Sequence, residues 1–170
     1  MTNNTTAIVV REPQSGLHIA SMGNIYRLII TGAETEGRFS IMEAFVNPGD
    51  GAPFHLHHRE DESFLITEGE MVFYDGENRI VATTGTFVMC PPGSKRAFRN
   101  ESSTKAKMMI FYTPPGIEEM IKLDGKVIES PSKIIFSDNQ QEVACPQLSA
   151  EFGIDDFDTP LPHLNIAPHN

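Results

Sequence analysis

Residues 49–69, GDGAPFHLHHREDESFLITEG, decide how the rest of the chain reads. The stretch holds three of the chain's six histidines, and His55 and His57 are separated by one residue. On a β-strand, alternate side chains point to the same face, so these two imidazoles converge. Glu62 follows five positions after His57 and reaches the same point from the next strand after a short turn. Two imidazoles and one carboxylate on a rigid sheet form the facial set that holds non-haem iron and similar divalent ions with positions left open. The plain alternative is an exposed histidine pair beside a solvated charge cluster running from Arg59 to Glu62. The framing glycines, Gly49 and Gly69, and the strand pattern that follows weigh against it.

Upstream, residues 7–10 form a short β-branched run, and residues 16–20 and 25–30 read as two more strands. Residues 38–46 alternate, with Phe39, Ile41, Glu43 and Phe45 on one face. Glu43 in that row is either a water-facing edge position or a polar group lining a cavity. Downstream, strands are expected at 63–66, 71–74, 79–82, 86–90, 96–99 and 106–112, with turns at Asp75-Gly76, Thr84-Gly85 and Pro91-Pro92-Gly93. Short strands at this spacing indicate an all-β sandwich or barrel.

The composition changes after Thr113-Pro114-Pro115-Gly116. Residues 117–123 read as a short helix, Asp138 as the cap of a second helical stretch interrupted at Pro146, and residues 148–152 as a helical end closed by Gly153. The tail from Asp155 reads as an extended arm packed on the barrel or on a partner subunit. The organisation expected is an N-terminal arm or edge strand (1–23), a barrel (24–115), and a helical segment with a C-terminal tail on the barrel (116–170).

At 170 residues the chain suits one domain with a sizeable core. A net charge of −10 without a basic run, and no tryptophan, argues against nucleic acid or an anionic membrane as partner. Cys90 and Cys145 lie far apart without metal-type spacing and read as reduced residues of a cytoplasmic protein. The first residues carry neither a signal-peptide pattern nor a transmembrane run.

The spacing of Gly49, His55, His57, Glu62 and Gly69 resembles the first motif of the cupin superfamily, and that of Gly85, Pro91, Gly93 and Asn100 its second motif. Arg96 stands where the second motif has histidine. The Glu36 to Ser40, His55 to Glu62, Pro92 to Asn100 and Thr113 to Met120 segments are similar to single-domain cupins of the quercetin 2,3-dioxygenase type. The resemblance implies a jelly-roll (cupin) β-barrel with short C-terminal helices, a small-molecule substrate and a homodimer. It also implies a divalent metal, Fe, Ni, Mn or Zn, on His55, His57 and Glu62, with the fourth ligand missing. Arginine stays protonated and has no lone pair to offer a metal, and it pairs readily with Glu62.

Three functions follow. A metal-dependent oxygenase would use Arg96 to anchor an anionic phenolate or enolate. A metal-free isomerase, dehydratase or cyclase would use His55, His57, Glu62 and Arg96 for acid–base chemistry and enolate stabilisation. A non-catalytic barrel would only bind a small acid. Alternation assigns Glu43, Phe45, Phe64, Ile66 and Phe98 to the pocket wall.

Overall fold

The β-branched and aromatic runs, each broken by a glycine or proline turn, pair into two antiparallel sheets. The protein is described here from a computed structural model covering residues 8–129 and 145–162. One sheet is seven-stranded and joins β1 (His18–Ser21), β2 (Asn24–Ile30), β3 (Ser40–Val46), β5 (Asp61–Glu68), β8 (Phe87–Cys90), β10 (Ala106–Thr113) and β11 (Lys126–Ile128). The other is five-stranded and joins β4 (Gly51–His57), β6 (Glu70–Asp75), β7 (Asn78–Thr83), β9 (Arg96–Arg99) and β12 (Ile154–Asp156). Among the described residues two helices, α1 (Ile117–Asp124) and α2 (Pro146–Glu151), follow β10. In the larger sheet the order is β11-β1-β2-β3-β10-β5-β8, and in the smaller β12-β4-β9-β6-β7. Consecutive strands such as β4 and β5 therefore lie in opposite sheets, which is how residues close in sequence face each other across the interior.

The core sits between the inner faces. Met42, Ala44 and Val46 of β3, Phe64 and Ile66 of β5, and Met108 and Ile110 of β10 are fully buried there. Phe64, Phe73 and Phe98 close one region with ring centroids 5.0 to 5.9 Å apart. Burying side chains of this size stabilises the fold by about 1.5–3 kcal/mol each. A second cluster covers the outer face of the smaller sheet, where Phe54, Val72, Tyr74 and Ala97 meet Phe157 and Leu161 of the tail. The Phe157 N–H donates to the Phe54 carbonyl at 2.9 Å, which ties that tail to β4.

Several sequence expectations change. Residues 8–10 form no strand, since no neighbouring strand pairs with them, and Ala7 lies outside the described residues. The strand of the N-terminal segment is β1, held inside the sheet between β11 and β2 rather than at an edge. Pro146 does not interrupt a helix but opens α2, where its missing N–H costs nothing. The expected cap at Asp138 lies outside the described residues. Tyr74, beside the Asp75-Gly76 turn, is buried and donates to Glu101, because the tail covers that face.

Glycine is required where backbones come closest. Gly69 has φ 75°, and a Cβ there would also lie 2.8 Å from the Lys105 carbonyl oxygen. At Gly51 a Cβ would fall 2.1 Å from the Phe98 carbonyl oxygen and 2.8 Å from the Arg99 Cα, both of them backbone on β9. Gly51→Ala is therefore expected to push β4 off β9 and cost on the order of 3 kcal/mol, read as a lowered urea midpoint.

Candidate functional site

The site forms where β4 and β5 face each other beneath the C-terminal cap. In β4 the pairing with β9 slips between Ala52 and His55, and His55 then pairs with Arg96. This irregularity turns Phe54 to the outer cluster while His55 and His57 both face inward. On the opposite sheet Glu62 pairs with Tyr112. His55, His57, Glu62 and Arg96 are all buried.

Both carboxylate oxygens of Glu62 are engaged. Arg96 donates to Oε2 from Nη2 at 2.7 Å and from Nε at 3.0 Å. The Tyr112 hydroxyl donates to Oε1 at 2.7 Å. The remaining terminal nitrogen of Arg96, Nη1, donates to the Ser94 carbonyl at 2.9 Å. Burial on its own raises the Glu62 pKa, but Arg96, both histidines and the Tyr112 hydroxyl outweigh it and bring it down to about 2. Burial, reinforced by the Glu62 charge, pushes the Tyr112 phenol well above its ordinary range, so Tyr112 remains a neutral donor.

The two histidines are held differently. His55 Nδ1 lies 2.8 Å from the Pro53 carbonyl oxygen, which only accepts, so Nδ1 carries the proton. Nε2 is left as a bare lone pair 3.9 Å from Glu62 Oε2. Burial is the main cause that lowers the His55 pKa to about 4 and keeps the ring neutral. His57 stacks on Tyr112 with ring centroids 6.0 Å apart. Its Nδ1 lies 3.3 Å from Glu60 Oε2, and neither atom has an aligned hydrogen-bond partner among the described residues. Glu60 is fully buried. A carboxylate beside Nδ1 favours the tautomer with the proton there and turns the basic Nε2 the other way.

A cavity opens against this set. Its polar lining comes from Asn24, Tyr26, His55, His57, Glu62 and Tyr112, and its apolar lining includes Phe98, Ile110, and Ile117, Met120 and Ile121 of α1. Ser149, Ile154 and Asp156 of the C-terminal segment complete the wall. The buried carboxylate of Glu118 fastens α1 over the barrel by accepting from the Gly32 N–H at 2.7 Å and the Gly116 N–H at 2.8 Å.

The structure thus gathers His55, His57, Glu62 and Phe98 at the cavity, with Arg96 directly behind Glu62. The rest of the expected wall is elsewhere. Phe64 and Ile66 point inward on β5 but are packed into the core away from the cavity. Glu43 and Phe45 lie on the outer surface, because β3 buries the alternate set Ser40, Met42, Ala44 and Val46. There Glu43 meets Arg27 of β2 at 2.9 Å. Arg96 is not among the residues that line the cavity, and it donates to Glu62 and to the Ser94 carbonyl. His58 points outward and pairs with Asp155 at 2.9 Å.

Residues 42–112 match the Cupin domain family model. Among curated proteins, quercetin 2,3-dioxygenase of Bacillus subtilis (strain 168) is 25% identical over 111 residues, which are 65% of this chain and 32% of that protein. This chain therefore spans about a third of that relative's length. Among solved structures, a predicted oxalate decarboxylase from Thermotoga maritima superposes with a TM-score of 0.58 at 18% identity, covering 63% of this chain and 99% of the other. The barrel is a cupin fold. The polyketide cyclase RemF from Streptomyces resistomycificus (TM-score 0.55, 18% identity, 63% and 79% covered) and KdgF from Halomonas sp. (TM-score 0.56, 9% identity, 64% and 96% covered) share it. Sequence likeness at this level speaks for the cupin fold alone, so the chemistry has to come from the residues.

The donor atoms of His55, His57 and Glu62 lie within 4.8 Å of one another, so their spacing could hold a metal ion. Their charge environment opposes it. A dication on this set would draw on a carboxylate already shared between a guanidinium and a phenol, with the guanidinium nitrogens 2.7 and 3.0 Å from the same oxygen. The donor set does not fit a resident dication while Arg96 holds Glu62.

Sequence reasoning missed Tyr112, Glu60, Tyr26 and Asn24. Tyr112 could be reached only through the β10–β5 pairing, which the alternation of Met108, Ile110 and Tyr112 does not reveal. Glu60 looked like part of a solvated cluster, yet it lies folded under His57.

Proposed function

We propose that this cupin is a metal-independent enzyme that moves a proton on a neutral small organic molecule, as in isomerisation, dehydration or cyclisation. The observation that carries this reading is the capture of both Glu62 oxygens by Arg96 and Tyr112. His57 is the general base and then the acid. It faces the cavity, and Glu60 stands behind Nδ1. His55, held neutral, offers an acceptor to a substrate donor. Tyr112 spends its one hydroxyl proton on Glu62 and so holds the carboxylate in place beside the cavity. Arg96 keeps Glu62 ionised and fixed, and so positions the site without touching the substrate. The working form carried by this reading is a cytoplasmic homodimer.

A second reading, a metal-dependent dioxygenase, is favoured by the spacing of the three donors and by the similarity to quercetin 2,3-dioxygenase. Elemental analysis of untagged protein separates the two. The expected result is no stoichiometric Fe, Ni, Mn or Zn in the native chain and a gain of about one equivalent in Arg96→His, which supplies a neutral ligand and frees the carboxylate. A proton-exchange screen in deuterated buffer, run on enolisable ketones and followed by NMR, then reads the activity. Near one metal per native chain, with activity lost on chelation, would overturn the metal-free reading.

A further inference from the structure

The cavity holds a polar pair that the proposed proton transfer does not use. Asn24 opens β2 and is almost wholly buried. Its Nδ2 donates to the Met22 carbonyl at 3.0 Å and to the Gly51 carbonyl at 2.9 Å. Carbonyl oxygens only accept, so these two contacts fix which end of the amide is nitrogen. Oδ1 is thereby defined, and it meets no donor among the described residues. A buried acceptor without a donor is costly and calls for a reason. Beside it, the Tyr26 hydroxyl accepts from Asn24 Nδ2 at 3.4 Å, and its own proton goes to no described residue. Burial raises the Tyr26 phenol above its ordinary range, so that proton stays on. Both residues line the cavity, and its described lining includes no lysine or arginine.

We propose that Asn24 and Tyr26 form a hydroxyl-reading subsite, in which a substrate hydroxyl donates to Asn24 Oδ1 and accepts from Tyr26 Oη. The assignment rests on the reading of this cavity as a small-molecule site and names the class it takes: a neutral, hydroxylated, flat organic molecule such as a phenol. The apolar body lies against Phe98, Ile110 and Ile121. With no cation in the lining, a carboxylate or phosphate ester finds no counter-charge beside Glu62 and Asp156.

The test uses phenol, its methyl ether anisole, and benzoate as probes, titrated into the full chain and followed by amide-resolved NMR. Phenol is expected to move the Asn24 side-chain amide resonances. Anisole, which cannot donate, should bind roughly tenfold more weakly or worse, and benzoate should leave those resonances unmoved. Tyr26→Phe keeps the ring and its packing and should weaken phenol and anisole alike, since both oxygens accept from Tyr26, while the preference for phenol set by Asn24 Oδ1 stays. Comparison of phenol with anisole on the unaltered protein needs no variant to fold. Equal binding of phenol and anisole would mean that Oδ1 merely holds a water, and no movement at Asn24 would mean there is no subsite; either overturns the assignment. Because binding is read without turnover, the preference is scored on the unaltered protein whether or not proton transfer is found. Loss of proton transfer with the preference intact leaves the subsite standing, and active protein without the preference sinks the subsite alone.

Discussion

Arg96→Met is expected to lower the unfolding free energy by about 3–5 kcal/mol, because it leaves a buried carboxylate without its counter-charge. Glu62 is 2% exposed, and only the Tyr112 hydroxyl would remain on it. The pair itself need not be strongly stabilising relative to an apolar one, since both ions are desolvated. What is costly is one ion without the other. The double variant Arg96→Met/Glu62→Gln removes the orphaned charge, keeps a side-chain oxygen for Tyr112, and should recover most of the loss. Urea unfolding of the wild type, both single variants and the double variant measures this coupling. A loss below about 1 kcal/mol for Arg96→Met would mean that the carboxylate finds another partner or water.

The same pair sets the response to acid. The folded-state pKa of Glu62 is lowered from 4.5 to about 2 and that of His55 from 6.5 to about 4. In both cases the unfolded chain binds protons more readily than the folded one, so stability rises with pH across these windows. The His55 contribution is complete above its unfolded value and is lost as pH falls from about 6.5 to about 4. The Glu62 contribution is complete above 4.5 and is lost as pH falls toward 2. Each amounts to a few kcal/mol at most. In Arg96→Met the carboxylate has lost the charge that depressed its pKa, and burial then raises it above the unfolded value. Protonation now favours the folded state, so its deficit relative to wild type should shrink in mild acid. Urea midpoints between pH 7 and pH 3 provide the check.

Much of the barrel was legible because its signals are local. Period-two runs at 63–66, 71–74 and 106–112 and turns such as Asp75-Gly76 declare themselves without knowledge of the partner strand. The convergence of His55, His57 and Glu62 was legible for the same reason, and the pairing of Arg96 with Glu62 followed from their chemistry. Inside and outside were not legible on β3. Ile41 and Phe45 on one face are as apolar as Met42, Ala44 and Val46 on the other, and only the salt bridge from Arg27 on the adjacent strand shows which face meets water. The cavity wall was hidden further still. Tyr26, Tyr112 and the residues of α1 come from segments far apart in sequence, and no spacing rule links them. Arg96 was expected to pair with Glu62, and it does so from a buried position on β9.

His57→Ala is expected to lower kcat/KM for proton exchange by about 100- to 10,000-fold, the range for removal of a general base. The more informative variant is Glu60→Gln. Glu60 Oε2 lies 3.3 Å from His57 Nδ1, both atoms are buried, and neither has an aligned hydrogen-bond partner among the described residues. A carboxylate only accepts, so it favours the tautomer in which Nδ1 carries the proton and Nε2 is basic. The amide of glutamine can donate instead, which places the proton on Nε2 and converts the base into a donor. Glu60→Gln should therefore lower kcat by roughly tenfold or more while KM changes little, since Glu60 does not line the cavity. Imidazole nitrogen shifts report the tautomer directly, and the wild-type ring should show the proton on Nδ1. Glu60→Asp restores the charge and should recover part of kcat if its shorter side chain still reaches. If Glu60→Gln leaves both kcat and the tautomer unchanged, Glu60 is only packing beneath His57.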